Sequence, residues 1–242
     1  MNIIRMKETN STNLELAELI VQEPQCEGTV LVTENQTSGK GQSGNSWESE
    51  SGKNLLFSIL LYPDFLELHH RFLLSELTAN SVKQVLDQYI DCVTIKWPND
   101  IYYQDKKIAG ILIENEITDN KIRQSIVGIG INVNQETFTS DAPNPVSLKQ
   151  ILGGDTDMDL LLAEIVNKLL STYEELKNGE SDHMKQYYHS SLYRKSGMYL
   201  FSDENGLFSA KIDSVADDGV LSLITDEDER RKYSFKEVSF VL

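Results

Sequence analysis

Apolar positions along this chain switch between a helical and a strand-like period, and the switches mark out its elements. Thr12 followed three residues later by Glu15 is a capping-box pattern, and Leu14, Ala17, Leu19 and Ile20 continue at helical spacing. A short helix is therefore expected to open the chain. GTVLVTE (28–34) is brief and β-branched, a strand that runs into the polar stretch QTSGKGQSGNSWESESGKN (36–54). NLLFSILLY (54–62) reads as a buried strand, and residues 71–89, with Leu73, Leu74, Leu77, Val82, Val85 and Leu86, as a helix packed on a sheet. Strand patterns follow at VTIKW (93–97), KIAGILIENEI (107–117) and IRQSIVGIGINV (122–133), the last two joined by a hairpin turn containing Asp119 and Asn120. After Asn134 comes a polar loop with Pro143 and Pro145, then a long helical pattern, LLLAEIVNKLLSTYEEL (160–176), within tandem helices. From about Gly197 the pattern returns to short strands, MYLF, FSAKIDSV, VLSLIT and RKYSFKEVSFVL, separated by acidic turns. The expected architecture is α+β: a mixed or antiparallel sheet flanked by helices over 1–190, and a small β module of the barrel kind over 191–242.

Composition narrows the function. With 242 residues, 40% of them apolar and only 5 Pro, the chain can bury a real core and is not disordered. Its 22 Lys and Arg against 38 Asp and Glu give a formal charge of -16, which argues against a protein held to nucleic acid by phosphate contacts. The start of the chain lacks the basic patch and apolar core of a secretory signal, and the longest apolar run falls far short of the roughly 20 residues of a membrane-spanning helix. Cys26 and Cys92 stand far apart with no metal or disulfide pattern, which suits a reducing compartment, the cytoplasm.

Two segments carry candidate chemistry. Gly39, Gly41 and Gly44 spell G-x-G-x-x-G, but a strand follows where a dinucleotide fold needs a helix. A phosphate-binding P-loop would need Lys where Asn45 stands, and the companion motifs of a protein kinase are missing. What survives is a loop whose backbone N–H groups can approach an anion, with a plain surface loop as the competing reading. The second segment, IKWPNDIYYQDKKIAGILIE (95–114), sets Lys96, Trp97, Pro98, Asn99 and Asp100 between strands. A turn would explain Pro-Asn-Asp. It would not explain a buried-looking Lys and Trp before it, a Lys pair after it, or Gly110 inside an apolar strand, which signals close approach to the backbone. Gly128 and Gly130 repeat that signal on the next strand. His69 and His70, side by side, point in different directions and make a poor metal site. Tyr187, Tyr188 and the acidic run 226–229 read as packing or surface features and a turn.

Taken in order, Ser11-Thr12-Asn13, GKGQSGNSW (39–47), KWPNDI with KIAGILIE, and GIGIN (128–132) resemble the biotin protein ligases, and the C-terminal strands ending in KEVSFVL resemble that family's SH3-like barrel. The resemblance implies the class II synthetase-like catalytic fold and an ATP-dependent enzyme. Such an enzyme makes biotinyl-5′-AMP from biotin and ATP, then transfers biotin to a lysine of a biotin carboxyl carrier protein domain. It implies Lys107 and Asp100 as catalytic residues, with Asp100 also holding Mg²⁺. It places Ser11, Thr12, Asn13, Gln36, Gly39, Lys40, Gly41, Lys107, Gly110, Gly128 and Gly130 at biotin, and Lys40, Gln42, Asn45, Trp47, Asn99, Lys107 and Asn132 at ATP. Family members often pair through the sheet of the large domain, so a homodimer stays open.

The chain departs from the family pattern in two places. The glycine loop carries Lys40, Gln42, Ser43 and Asn45 where the family usually has several arginines, and Gln42 stands for the one that holds the adenylate. No helix-turn-helix segment precedes Ser11, so the resemblance is to the monofunctional type. Two rivals remain: a lipoate ligase, which shares fold and chemistry, and a catalytically idle biotin-binding protein. The KWPND block speaks against the first, and the intact Lys107 and Asp100 against the second.

Overall fold

The computed structural model describes residues 2–139 and 144–241; Pro143, in the expected polar loop, lies outside them. The chain opens on a strand, not on the expected helix: β1 (Ile3–Thr9) pairs in parallel with β2 (Val30–Gln36), and α1 (Thr12–Gln22) is their crossover. Only Ile3, Ile4 and Met6 of β1 reach apolar neighbours, since β1 is an edge strand with polar residues between them. The capping-box expectation also fails. Ser11 is the N-cap and makes no side-chain cap bond, while Glu15 accepts from the Thr9 hydroxyl. A true capping box does occur, between Ser147 and Gln150, at the short helix α3 (Leu148–Leu152).

Four further strands follow β3 (Leu55–Leu61) and α2 (Phe72–Leu86): β4 (Val93–Lys96), β5 (Asp100–Tyr103), β6 (Lys106–Thr118) and β7 (Lys121–Ile131). The sheet order is β1-β2-β3-β7-β6-β5-β4, antiparallel except for β1 with β2. The hairpin between β6 and β7 turns on Asp119 and Asn120, both at positive φ, as the sequence pattern expects. β5 was not expected as a separate strand, because four residues between a Pro and a tight turn carry no periodic signal.

One face of the sheet is covered by α2, α4 (Met158–Lys177) and α5 (Asp182–Ser190) over a core that includes Phe57, Ile59, Leu77, Val82, Leu169 and Tyr173. On the other face the described helix is α1, which packs through a small cluster of Leu16, Leu31, Leu60 and Ile126. Both layers meet over β3, so all seven of its residues are buried and it shows no alternation.

The C-terminal strands β8 (Tyr199–Asp203), β9 (Gly206–Val215), β10 (Leu221–Thr225), β11 (Arg230–Tyr233) and β12 (Ser239–Phe240) form an antiparallel sheet ordered β11-β10-β9-β8-β12. The expected last strand is split in two, and no ladder joins β11 to β12 among the described residues, so the sheet is open. This module is bound to the first domain. The Trp97 indole N–H donates to Gly219 O at 3.0 Å, and Phe235 packs against Trp97 and Phe72. The segment before β8 runs along the free edge of β4, with Tyr193 N–H donating to Ile95 O at 2.8 Å.

Glu76, on α2, is 1% exposed, and one of its carboxylate oxygens has no partner. Burial pushes its pKa up to about 8, opposed by Lys185 and reinforced by Asp217. The folded state thus holds this proton more tightly than the unfolded state does. The resulting loss of stability develops as pH rises from the ordinary carboxylate range through about 8. Glu76→Gln is expected to remove that loss, worth a few kcal/mol. Urea midpoints measured near pH 5 and pH 8 should therefore fall less in the variant than in the wild type; equal falls would show that Glu76 is ionised in the fold.

Candidate active site

Residues paired across a sheet point to the same face, so register defines the floor of the site. Leu56 pairs with Gly130, Gly130 with Gly110, Gly110 with Asp100 and Asp100 with Lys96, one row running from β3 to β4. A second row joins Ser58, Gly128 and Leu112. Both rows lie on the α1 side of the sheet. At the N-terminal end of α1 a groove of about 580 Å³ opens, and the glycine loop and the C-terminal module flank it.

The loop forms a small hairpin. Trp47 N–H donates to Gly39 O at 2.9 Å, Gly41 N–H to Asn45 O at 2.7 Å, and a 3-10 turn at Gln42–Gly44 makes the tip. The hairpin lays the Trp47 indole on the two central glycines. A Cβ on Gly130 would come within 2.6 Å of Trp47 Cε2, and one on Gly110 within 2.8 Å of Cζ3. The indole N–H is buried without a partner, and Lys107 Nζ sits 5.5 Å from the ring centroid.

At one end of the groove the polar groups are tightly bonded. Thr12 N–H donates to Gln36 Oε1 at 2.8 Å, which fixes the Gln36 amide with its NH₂ free of that contact. Ser58 Oγ lies 2.7 Å from Thr12 Oγ1 and 2.6 Å from Asn13 Oδ1. It has one proton, and the amide oxygen, which cannot donate, is its natural acceptor. Asn13 Nδ2 donates to Glu114 Oε2 at 2.7 Å and Leu112 O at 3.2 Å, so the Asn13 amide is saturated. A Cβ on Gly128 would lie 2.3 Å from Asn13 Oδ1, which explains the glycine.

Farther along, Lys107 Nζ lies 2.7 Å from Asp100 Oδ1, without the alignment of a hydrogen bond. Asp100 is the one carboxylate among the described lining residues, against Lys40, Lys96, Lys107 and Lys236. Four cations and one anion leave the groove near +3 in a chain of formal charge -16. This groove is built for anions. Among the described residues no group of three or more His, Cys, Asp or Glu could hold a metal unaided. A hard ion such as Mg²⁺ binds through one or two carboxylates plus substrate phosphates, and Asp100 fits that donor set.

Most residues expected at the site line this groove: Ser11, Thr12, Asn13, Gln36, Lys40, Gly41, Gln42, Asn45, Trp47, Asn99, Asp100, Lys107, Gly110, Gly128 and Gly130. Gly39 and Asn132 do not. Gly39 closes the loop hairpin, where a Cβ would meet Trp47 O at 2.9 Å. Asn132 lies behind Lys107, its amide donating to Val146 O at 3.1 Å and Lys107 O at 3.4 Å, where it holds the strand that carries the lysine. Asn99 lines the groove, but its amide donates to Ile111 O at 2.8 Å. Sequence reading did not assign Ser58, Glu114 or Lys96 to the site, nor the C-terminal Phe235, Val238, Ser239 and Phe240. A serine in an apolar strand and a glutamate ending one were the available signals for the first two. His69 and His70 lie outside the groove, facing Glu67 and Asp217.

Residues 4–132 match the Biotin/lipoate A/B protein ligase family, and the chain belongs to it. It is 32% identical over 214 residues to the bifunctional ligase/repressor BirA of Bacillus subtilis, covering 86% of this chain and 65% of that protein. To the human biotin–protein ligase it is 31% identical over 144 residues, 57% of this chain and 20% of the relative. The fold superposes on a biotin protein ligase from Aquifex aeolicus in complex with biotin and ATP, with a TM-score of 0.79 and 29% identity, covering 98% and 97% of the two chains. The chain thus spans about two thirds or less of the curated relatives named here. No described helix is long and apolar enough to cross a membrane.

Gly130→Ala is expected to push the Trp47 ring off the sheet. Its fluorescence, read against Trp47→Phe to subtract Trp97, should shift to the red as the indole gains water. An unshifted spectrum would mean that the ring does not rest on Gly130.

Proposed function

We propose that the protein is an ATP-dependent biotin ligase acting on a biotin carboxyl carrier domain. The observation that carries this reading is the Lys107–Asp100 pair, 2.7 Å apart, between a neutral polar cluster and a cationic, tryptophan-lined groove. The ureido ring of biotin offers N–H donors and a carbonyl acceptor. The Thr12 hydroxyl lone pairs and the Gln36 NH₂ match both, whereas a lipoyl dithiolane has no use for either. The Aquifex ligase, bound to biotin and ATP, supports the same pair of substrates.

In the first step a biotin carboxylate oxygen bonds to the α-phosphorus of ATP and the bond to the β-phosphate breaks, releasing pyrophosphate. Two anions approach each other, so Lys107 is placed to neutralise charge that builds on the carboxylate and α-phosphate. Mg²⁺, held by Asp100 and the nucleotide's phosphates, would supply further charge neutralisation. In the second step the amine of a carrier lysine attacks the biotinyl carbonyl, AMP leaves, and the surplus proton must pass to a base; Asp100 is the nearby carboxylate. The Trp47 hairpin shields the mixed anhydride from water.

Transfer of labelled biotin to a carrier domain, with ATP and Mg²⁺, tests this. The wild type should transfer biotin and Lys107→Ala should be slower by about 10²–10³, the usual effect of removing one charge-stabilising donor. Acceptance of lipoate instead, or no ATP consumption, would reject the reading. The loop supplies a finer test. Neutral Gln42 cannot hold a phosphate bidentately, so Gln42→Arg should slow the dissociation of biotinyl-5′-AMP; unchanged release in a rapid-dilution assay would show that Gln42 does not limit retention.

A further inference from the structure

At the Thr12 end of the groove the places of the protons follow from which atoms can only accept. Asn13 Nδ2 lies 2.7 Å from Glu114 Oε2 and 3.2 Å from Leu112 O, and a backbone carbonyl never donates. The NH₂ of the amide must therefore face them, and Oδ1 must face Ser58. Ser58, fully buried on β3, has a single proton and gives it to Asn13 Oδ1, 2.6 Å away. The 2.7 Å contact between Ser58 Oγ and Thr12 Oγ1 then needs its proton from Thr12. The competing acceptor, Gln36 Oε1, is farther from that hydroxyl, at 3.2 Å, and already receives the Thr12 N–H. Both acceptors belong to the protein, so the Thr12 proton is drawn away from the groove that Thr12 lines.

A threonine hydroxyl is ordinarily a rotor that donates or accepts as its ligand requires. This one has lost that choice, because the donors run in one direction, from Thr12 to Ser58, from Ser58 to Asn13, and from Asn13 to Glu114 and Leu112 O. Ser58 is not among the residues that line the groove, so it acts on a ligand only through Thr12. We infer that Ser58 is a specificity-determining positioning residue: it takes the Thr12 proton and leaves a hydroxyl that accepts an N–H from a cyclic urea and rejects a ring oxygen at the same point. A cyclic urea and a cyclic carbamate differ little in shape, so packing alone separates them poorly. A lone pair set against a lone pair separates them well, since the buried hydroxyl then goes without a partner.

The identity of the ligand rests on the ligase reading, and two measurements keep the two claims apart. Calorimetric titration compares biotin with its two cyclic-carbamate analogues, in each of which a ring oxygen replaces one ureido N–H. The analogue that turns its oxygen to Thr12 should bind the wild type about tenfold or more weakly than biotin. In Ser58→Ala the Thr12 hydroxyl is free to turn and donate, so that analogue should close to within about threefold of biotin. The substitution also leaves Asn13 Oδ1 without a donor, a cost common to all three ligands, so a merely structural serine would weaken them equally and keep their ranking. Thr12→Val should abolish the ranking by the opposite route, through weaker binding of biotin. A ranking unchanged in Ser58→Ala would overturn the inference. Neutron diffraction from deuterium-exchanged crystals of the unliganded protein needs no ligand at all. If the wild type binds none of the three compounds, the ligase reading falls, and a Thr12 deuteron directed at Ser58 still sustains the proton order; a deuteron pointing into the groove rejects it whatever the titrations show.

Discussion

Helix α1 has eleven residues and spans about 16 Å at 1.5 Å per residue, too little to roof a seven-stranded sheet. It packs on β2, β3 and β7, reaches β6 through Asn13, and is too short to cover the rest of the sheet toward β5 and β4. An uncovered sheet face must be wet or be filled by something else. Here the bare row carries Gly130, Gly110, Asp100 and Lys96 in place of apolar side chains. The missing cover makes the groove, the glycines deepen it, and the charged pair stands at its open end.

The groove's two ends follow different electrostatic rules. Around Asn13, nearly every polar atom has a protein partner, so the geometry is set before any ligand arrives and little reorganisation is needed. Around Lys96 and Lys107, cations outnumber carboxylates, although the molecule as a whole is strongly acidic. An anionic ligand is therefore repelled at long range and held at short range. Raising ionic strength weakens both effects, but the exposed long-range repulsion is screened first.

The sequence displays those parts of the fold whose signal is local. The β6–β7 hairpin was legible because two long apolar runs flank Asp119 and Asn120, and the buried β3 because its apolar run is continuous. β1 and β5 were not, one being a polar edge strand and the other four residues long. The site divides in the same way. Lys107, Asp100 and the glycines sit in contiguous motifs and could be picked out from their neighbours. Ser58, Glu114 and Lys96 gain meaning only through tertiary contacts between residues far apart in the chain, as with Asn13 and Glu114, 101 positions apart. Asn132 shows the reverse: a motif residue whose side chain serves the backbone behind Lys107 and does not face the groove.

The bond from the Trp97 indole to Gly219 O ties the residues just before Asp100 to a turn in the C-terminal sheet, and Phe235 packs on the same indole. Val238, Ser239 and Phe240 then form part of the groove wall itself. The C-terminal module and the groove are thus one thermodynamic unit. Any ligand that touches both surfaces must hold the module in place, and any force that lifts the module must weaken the ligand by the same free energy. Occupancy of the groove would therefore be legible at a distance, as slower hydrogen exchange in the 216–219 turn.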